Sequence, residues 1–333
     1  MKKTLRLVSL ILVGIIIFAS LTGCSGRKKG DPPVWTDDKT NVMTLGGYNV
    51  KSDFYKYLFL NTKSYFDKGD ESYWESEEND VSKITDYVLA SLKETYGMFA
   101  LADEYKITLS KEDKANIDAF IEDSKQGMTD EEYKASLEKS YLTEEVYRFI
   151  LEVQQLEYLV YEHLISESSG IIKVDDETLE KAIDEEFVRA THILFTFKNE
   201  EERKSQLEKA NQILEKLKNG EDFETLKEEH SDDTDLKGNK DGYYFTHGEF
   251  KNEFEYTAFK LKEGETSEVI MTDVGYHIVK RLPIEENYVN KQFEELRTQY
   301  KTALYYKTVE EKYKQFTCEY EEGYKSIQLD TFN

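Results

Sequence analysis

The chain has 333 residues, with 44 Lys and Arg against 68 Asp and Glu, which gives a formal charge of −24 at pH 7. At roughly 150 residues per domain this length predicts about two domains, and 24 Tyr with 18 Phe are too many large apolar side chains for a disordered chain. The excess of acid argues against nucleic acid as a partner, since non-specific binding to nucleic acid depends on Lys and Arg. With only two cysteines, Cys24 and Cys318, a disulfide framework and a cysteine-based zinc site are excluded.

The first residues predict a signal peptide over 1–23. A basic start is followed by an apolar run from Leu7 to Ala19 and then by small residues, which is the pattern of a secretory signal. An uncleaved membrane anchor is the alternative, but a helix needs roughly 20 apolar residues to span a bilayer. The sequence Leu-Thr-Gly-Cys at 21–24 resembles a bacterial lipobox, which implies that the cysteine receives diacylglycerol and that two acyl chains anchor the protein. Residues 24–39 are then a lipid-anchored tether, and the chain faces the extracytoplasmic side of the bacterial cell membrane.

Residues 40–188 are predicted to form a mainly helical N-terminal segment. A short hairpin comes first, with Gly46-Gly47 at its turn. Apolar residues then recur at helical spacing, most clearly over 82–105. The helices that follow have candidate N-caps at Ser110, Thr129 and Thr143. The aromatic stripes of these helices are more typical of core packing than of a ligand site.

The sequence pattern changes at Arg189. A β-rich run is followed by three helices and then by two paired strands, an order that predicts a small α+β domain over 189–283. These elements are expected at 189–195, 201–219, 223–229, 253–261, 267–271 and 275–281. The C-terminal segment, 284–333, is predicted to be helical from Tyr288 to about Phe316.

The motifs of 189–283 resemble those of parvulin-type peptidyl-prolyl isomerases. The matching stretches are Arg189-Ala-Thr-His-Ile-Leu, Gly220-Glu-Asp-Phe, Ser231-Asp-Asp, Gly248-Glu-Phe, Ala258-Phe-Lys-Leu, Gly264-Glu-Thr-Ser and Thr272-Asp-Val-Gly-Tyr-His-Ile-Val-Lys. With its helical flanks and lipobox, the chain resembles PrsA-type extracytoplasmic foldase lipoproteins, whose layout is related to that of the chaperone SurA. The resemblance implies an α+β fold. A parvulin-like domain, a small antiparallel sheet with surrounding helices, is inserted between N-terminal and C-terminal helical segments that form a chaperone-like module.

The resemblance also implies a catalytic site. It puts His192 and His277 back to back in the floor of a cleft, where the two imidazoles share a hydrogen bond and Thr272 is a further partner. Asp233 falls where the family has a residue that faces the substrate amide. The alternative for Asp233 is a side chain that stabilises its own loop.

Two aromatic residues and one acidic residue of this chain fall at positions that form the proline pocket in this family. Phe250 and Phe254 match positions that line the pocket, and plain core packing is the alternative for both. Asp241 stands where an apolar residue normally closes the pocket, within Gly-Asn-Lys-Asp-Gly at 238–242. Because a buried carboxylate is costly, either the loop follows another course or the pocket is weaker. The loop at 198–203 has no basic cluster, so phosphate recognition is not expected.

The function implied by the resemblance is that of a membrane-anchored foldase. Such a protein catalyses cis/trans isomerisation of X-Pro peptide bonds and assists the folding of secreted proteins, so its partners are unfolded or partly folded secreted chains. The alternative is a non-catalytic holdase chaperone with a degenerate parvulin domain, which Asp241 motivates. A homodimer is left open. No cofactor and no metal are expected, since a zinc site built from His192, His230 and His277 would match no common spacing.

Overall fold

The computed structural model describes residues 41–332, apart from 68, 76–78, 199, 237–240, 251–252 and 273. The predicted signal peptide, the tether with Cys24 and the loop residues 238–240 lie outside these described residues. The chain divides into two compact units. We call residues 167–306 the central unit, and the described residues 41–166 together with 307–332 the outer unit.

The outer unit begins with a hairpin and continues with helices. Strands β1 (Asn41–Leu45) and β2 (Tyr48–Lys51) form the antiparallel hairpin that the sequence predicts. The helices that follow are α1 (Ser52–Asp67), α2 (Val81–Tyr105), α3 (Lys111–Ser124), α4 (Asp130–Lys139) and α5 (Glu144–Ile165). Their apolar faces pack with the hairpin into one core. A short 3₁₀ helix, Glu71–Glu75, lies between α1 and α2.

Capping side chains determine where several of these helices begin. The Ser110 hydroxyl accepts a hydrogen bond from the amide of Asp113, whose carboxylate accepts one from the amide of Ser110. Thr129 forms the same reciprocal pair with Glu132, and Thr143 accepts from the amide three residues later. These bonds satisfy amide groups that the first helical turn leaves without a partner. All three predicted N-caps are confirmed.

The central unit is built on a four-stranded antiparallel sheet in the order β4-β3-β6-β5. In chain order its elements are α6 (Asp176–Glu186), β3 (Phe187–Phe195), α7 (Glu200–Lys218), α8 (Phe223–His230), β4 (Tyr243–Thr246), α9 (Glu253–Lys260), β5 (Thr266–Met271) and β6 (Tyr276–Leu282). Helices α7 and α8 cover one face of the sheet, and α9 covers the other. This arrangement confirms the predicted fold class and the predicted elements of 189–283, and adds β4.

The side chains of β3 alternate between two hydrophobic cores. Ile193 and Phe195 pack against α7 and α8, whereas Val188 and Ala190 pack against α9. Because successive side chains of a strand point to opposite faces of the sheet, His192 lies on the α9 face. All residues of β3 are buried, so this histidine sits on a strand that is packed on both sides.

The last elements of the chain are a long helix and a short strand. Helix α10 (Glu286–Tyr313) runs from the central unit into the part of the chain that belongs to the outer unit. Strand β7 (Cys318–Tyr320) then pairs with β1 and completes a three-stranded sheet in the order β2-β1-β7. The sequence does not predict β7, because three residues are too few to show an alternating pattern. None of the helices in the described residues is both long enough and apolar enough to cross a membrane.

Gly242 precedes β4 at a position that has no room for a side chain. Its φ is +71°, and a Cβ added to it would lie 2.6 Å from the carbonyl oxygen of Ala190 in β3. Gly264 has a similar φ of +82°, but a Cβ there would meet nothing within 4 Å. We expect Gly242→Ala to destabilise the central unit by about 2–4 kcal/mol. Gly264→Ala should lower the free energy of unfolding by about 1–2 kcal/mol, since it adds only the strain of a left-handed backbone.

Hydrogen exchange of β3 and β6 peptides, followed by mass spectrometry, compares these two variants in the full chain. Protection of β3 should fall further in Gly242→Ala than in Gly264→Ala. An equal loss in both would mean that the close approach of Gly242 to Ala190 imposes no constraint.

Candidate active site

Two histidines meet on the α9 face of the sheet. The register between β3 and β6 pairs His192 with Val279 and His277 with Leu194. The histidines are therefore diagonal neighbours on one face, and their Nδ1 atoms lie 3.0 Å apart. Both residues are buried, with exposed fractions of 6% and 3%. The hydrogen bond expected between the two imidazoles is present.

A continuous line of hydrogen bonds passes through the histidine pair. Thr272 Oγ1 lies 2.7 Å from Nε2 of His277. On the other side of the pair, Asp233 Oδ2 lies 2.6 Å from Nε2 of His192. The four side chains that the sequence nominates as catalytic are thus joined end to end.

Backbone amides satisfy both ends of this line. The amide of Val274 donates to Thr272 Oγ1 over 3.3 Å. At the other end, Oδ1 of Asp233 accepts from the amides of Asp235 and Leu236, over 2.9 and 3.2 Å. Asp233 therefore stabilises its loop with one oxygen and bonds the histidine pair with the other, so the two roles considered for this residue are compatible.

Hydrogen bonding and burial set the charges of the line. The hydrogen bond from His192 holds the pKa of the Asp233 carboxyl well below its usual value, against the opposing effect of burial. Burial, reinforced by the charge effect of His192, lowers the pKa of His277 from 6.5 to about 3. At neutral pH the site therefore contains an ionised carboxylate and an uncharged His277.

The ionised carboxylate fixes the direction of the first hydrogen bond in the line. Nε2–H of His192 donates to the Asp233 carboxylate, which can only accept. When His192 carries its proton on Nε2 alone, Nδ1–H of His277 donates to Nδ1 of His192, and the Thr272 hydroxyl donates to Nε2 of His277. Each polar atom in the line then has a partner, and the ionised carboxylate lies at the end of the line.

Aromatic side chains border the histidine pair. The ring of Phe254, on α9, is buried and lies 5.2 Å from the His192 ring in an edge-on contact. The Phe250 ring lies 5.0 Å from that of Phe254, and Phe250 is 37% exposed. Phe254 also belongs to the core beneath α9, so core packing and a position beside the histidines occur together. The two rings form the apolar border of the site.

Asp241 does not bury its carboxylate. Its side chain is exposed, and its backbone carbonyl accepts a hydrogen bond from Nε of Arg189 over 2.5 Å. The desolvation cost that a buried carboxylate would carry therefore does not arise.

The sequence does not predict Tyr243 as a residue of the site. This residue lies on β4, and its hydroxyl donates to Oδ2 of Asp233 over 3.0 Å. Its ring centroid is 6.0 Å from that of His192 and 5.9 Å from that of Phe250. The run Tyr-Tyr-Phe-Thr after a glycine is rich in residues that favour strands, and it is the signal that could have identified β4.

The histidines are not part of a metal cluster in the described part of the chain. No group of three or more His, Cys, Asp or Glu side chains in these residues could hold a metal ion. His230, considered with the pair in the sequence, lies at the end of α8, with its Nε2 3.7 Å from a carboxylate oxygen of Glu229.

Comparison with known proteins agrees with this geometry. The family model of the rotamase or PPIC-type PPIase domain matches residues 192–282. The foldase protein PrsA of Caldanaerobacter subterraneus subsp. tengcongensis is 28% identical over 340 residues, which cover 98% of this chain and 96% of the relative. The foldase protein PrsA of Geobacillus kaustophilus is 30% identical over 241 residues, covering 69% of this chain and 75% of the relative. That of Bacillus subtilis is 39% identical over 95 residues, which cover 28% and 30% of the two chains.

The α+β fold and the matched domain define a peptidyl-prolyl isomerase of the parvulin type. The similarity extends beyond that domain over nearly the whole chain. The chain belongs to the PrsA family of extracytoplasmic foldases. The predicted family, fold class and enzyme class are confirmed.

The low pKa of His277 predicts that acid destabilises the central unit. The unfolded chain binds a proton at this residue near pH 6.5, whereas the folded chain does so only near pH 3. Between these values the unfolded state binds more protons, so the free energy of unfolding falls as the pH falls. At about 1.4 kcal/mol per pH unit, the loss between pH 6.5 and pH 5 should be about 2 kcal/mol. The lowered pKa of Asp233 adds a loss of the same sign below its ordinary value of 3.8.

Hydrogen exchange of β6 peptides at pH 7 and pH 5, corrected for the intrinsic exchange rate, measures this effect. His277→Gln should lose most of the pH dependence, because it removes the titrating group. His230→Gln, which changes an exposed histidine on α8, should keep it. An undiminished pH dependence in His277→Gln would contradict the neutral state assigned to this ring.

Proposed function

We propose that this chain is a lipid-anchored foldase whose isomerase site is the line of hydrogen bonds on the α9 face. The proposed catalytic residues are His192, Asp233, Thr272 and His277, and the proposed substrate-binding residues are Phe250 and Phe254. The observation that carries the proposal is an ionised carboxylate held at the end of a directed hydrogen-bond line, beside an aromatic border.

The reaction is rotation about a peptide bond and needs no covalent intermediate. Resonance gives the amide C–N bond partial double-bond character and a rotational barrier of roughly 18–20 kcal/mol. The same resonance puts negative charge on the carbonyl oxygen, and this charge is lost as the bond twists. A carboxylate near that oxygen therefore destabilises the planar amide more than the twisted one, which lowers the barrier. Asp233 suits this role because its low pKa keeps it ionised at neutral pH.

The histidines and Thr272 hold this carboxylate in place and do not react. A buried network in which every donor has an acceptor is rigid, and rigid charges act on a transition state without first having to reorganise. No proton has to leave or enter His277, which agrees with the low pKa of this ring. Phe254 and the partly exposed Phe250 offer apolar surface for the proline ring.

The helical parts of the chain are proposed to hold the client. In sequence terms they are the chaperone-like module of 40–188 and 284–333, which flanks the isomerase domain of 189–283. Large apolar side chains exposed in this module include Tyr65, Tyr87, Phe120 and Tyr141, and aromatic surface of this kind binds apolar segments. Unfolded or partly folded secreted proteins are the proposed partners. A homodimer is compatible with the proposal but is not required by it.

The isomerase site is tested with the full chain and a proline-containing peptide, whose cis–trans exchange is measured by NMR. The wild-type chain should accelerate the exchange. Asp233→Asn should lower kcat/KM by about tenfold, or about 1.4 kcal/mol, because a neutral amide cannot repel the carbonyl charge. His192→Ala should lower both the activity and the melting temperature, since it leaves buried polar groups without partners.

His230→Ala is the control, because it removes a histidine outside the hydrogen-bond line, and its activity should stay within about twofold of wild type. No acceleration by the folded wild-type chain would overturn the isomerase site and favour the holdase. Full activity in Asp233→Asn would overturn only the role of the carboxylate. Activity lost in His192→Ala with an unchanged melting temperature would assign a direct electrostatic role to this histidine.

The membrane anchor is tested at Cys24, which lies outside the described residues. A thioether-linked diacylglycerol requires the cysteine sulfur, and two acyl chains are enough for stable anchoring. In a bacterial host, Cys24→Ser should therefore move the protein from the membrane fraction to the soluble fraction, and mass spectrometry should find no lipid on its N-terminal peptide. Cys318→Ser should change neither result. A lipidated N-terminal peptide in Cys24→Ser would contradict the proposed anchor.

A further inference from the structure

The hydroxyl of Tyr243 and Nε2 of His192 converge on the same oxygen of Asp233. The two distances to Oδ2 are 3.0 and 2.6 Å. We propose that Tyr243 is a positioning residue of the isomerase site. Its hydroxyl orients the Asp233 carboxylate, and its ring forms a further wall of the proline slot beside Phe250. The inference rests on the proposed site.

Strand β3 fixes the position of this tyrosine. The register pairs Tyr243 with Ala190, two residues before His192, so all three side chains lie on the same face of the sheet. Gly242, just before Tyr243, approaches the carbonyl oxygen of Ala190 too closely for any Cβ. Arg189, which is buried, donates to the carbonyl two residues before Tyr243 and to that of Pro283. The backbone that leads into Tyr243 is therefore attached to the strand that carries His192.

The hydroxyl of Tyr243 completes the hydrogen bonding of the carboxylate. Oδ2 of Asp233 accepts from Tyr243 and His192, and Oδ1 accepts from the amides of Asp235 and Leu236. Donors on both oxygens restrict rotation of the carboxylate plane. Burial, followed by the charge of Asp233, raises the pKa of Tyr243 above its ordinary value, so its hydroxyl stays protonated and can donate at neutral pH.

The ring of Tyr243 supplies apolar surface that Asp241 does not. In this family an apolar residue normally closes the proline pocket at the position of residue 241, but here the side chain is a carboxylate and is exposed. Two residues further on, the centroid of the Tyr243 ring lies 5.9 Å from that of Phe250 and 6.0 Å from that of His192. A tyrosine has an apolar face and one polar end, so the same side chain can contact a proline ring and bond the carboxylate next to it.

Two substitutions separate these roles. Tyr243→Phe removes the hydroxyl and keeps the ring, whereas Tyr243→Ala removes both. Tyr244→Phe is the matched control, because the neighbouring side chain lies on the opposite face of the sheet, with its ring stacked 3.8 Å from that of Tyr288. In the peptide assay we expect Tyr243→Phe to lower kcat by about tenfold with KM unchanged. Tyr243→Ala should also raise KM, and Tyr244→Phe should stay within about twofold of wild type.

A second measurement does not depend on catalysis. Titration of the Asp233 carboxyl carbon by NMR should show a higher midpoint in Tyr243→Phe than in wild type, because the ionised form has lost a donor. Tyr244→Phe should leave the midpoint unchanged. An unchanged midpoint in Tyr243→Phe would overturn the positioning role, even if the wild-type chain proved inactive. A shifted midpoint in Tyr243→Phe, together with an inactive wild-type chain, would overturn the proposed function instead. Equal KM values in Tyr243→Ala and Tyr243→Phe would overturn the role of the ring.

Discussion

The antiparallel register between β3 and β6 is the constraint on which the site depends. It pairs His192 with Val279 and His277 with Leu194, and so puts both imidazoles on the α9 face. If β3 slipped by one residue, its side chains would exchange faces, and His192 would enter the apolar core beneath α7 and α8. Each face of the sheet has its own hydrophobic core, and these cores make the slipped register costly. Apolar packing therefore selects the register, and the polar contacts of the site follow from it.

Burying a line of polar side chains is tolerated only when each of them has a partner. Ser231 contributes to this requirement from the loop, since its hydroxyl accepts from the amides of Leu194 in β3 and Asp233. The loop is thus attached to β3 both at Ser231 and through the carboxylate that reaches His192. The low pKa of His277 has the same origin, because burial disfavours the charged form of a ring whose hydrogen-bond partners are one hydroxyl and the second imidazole. Burial therefore keeps His277 uncharged, while hydrogen bonds keep Asp233 ionised.

The sequence predicts those features that depend on neighbouring residues or on a complete motif. Helix caps are of this kind, and so are the two His-Ile strands that identify the pair. Tyr243 escapes prediction because its role depends on its pairing with Ala190 in a strand far away in sequence. β7 is not predicted because its three residues are too few to show an alternating pattern, and its pairing partner lies at the other end of the chain. For Asp241 the residue type suggests a costly buried carboxylate, but the structure exposes this side chain. Arg189 binds the backbone carbonyl of Asp241 instead.

The acidic residues of this chain lie in two different environments. Residues 24–188 contain 19 Lys and Arg against 37 Asp and Glu, whereas 189–283 contain 15 against 21. Most of the excess acid therefore lies outside the isomerase domain, and the field of a hydrated surface charge is screened within about 8 Å at physiological salt. Such charge can favour the approach of cationic segments and oppose that of an anionic membrane. The Asp233 side chain is 11% exposed, and four hydrogen bonds hold its carboxylate, so its field is less screened than that of a surface charge and has a fixed direction. On the proposed mechanism, burial and hydrogen bonding, more than residue type, decide whether an acidic side chain steers a client or acts on a single bond.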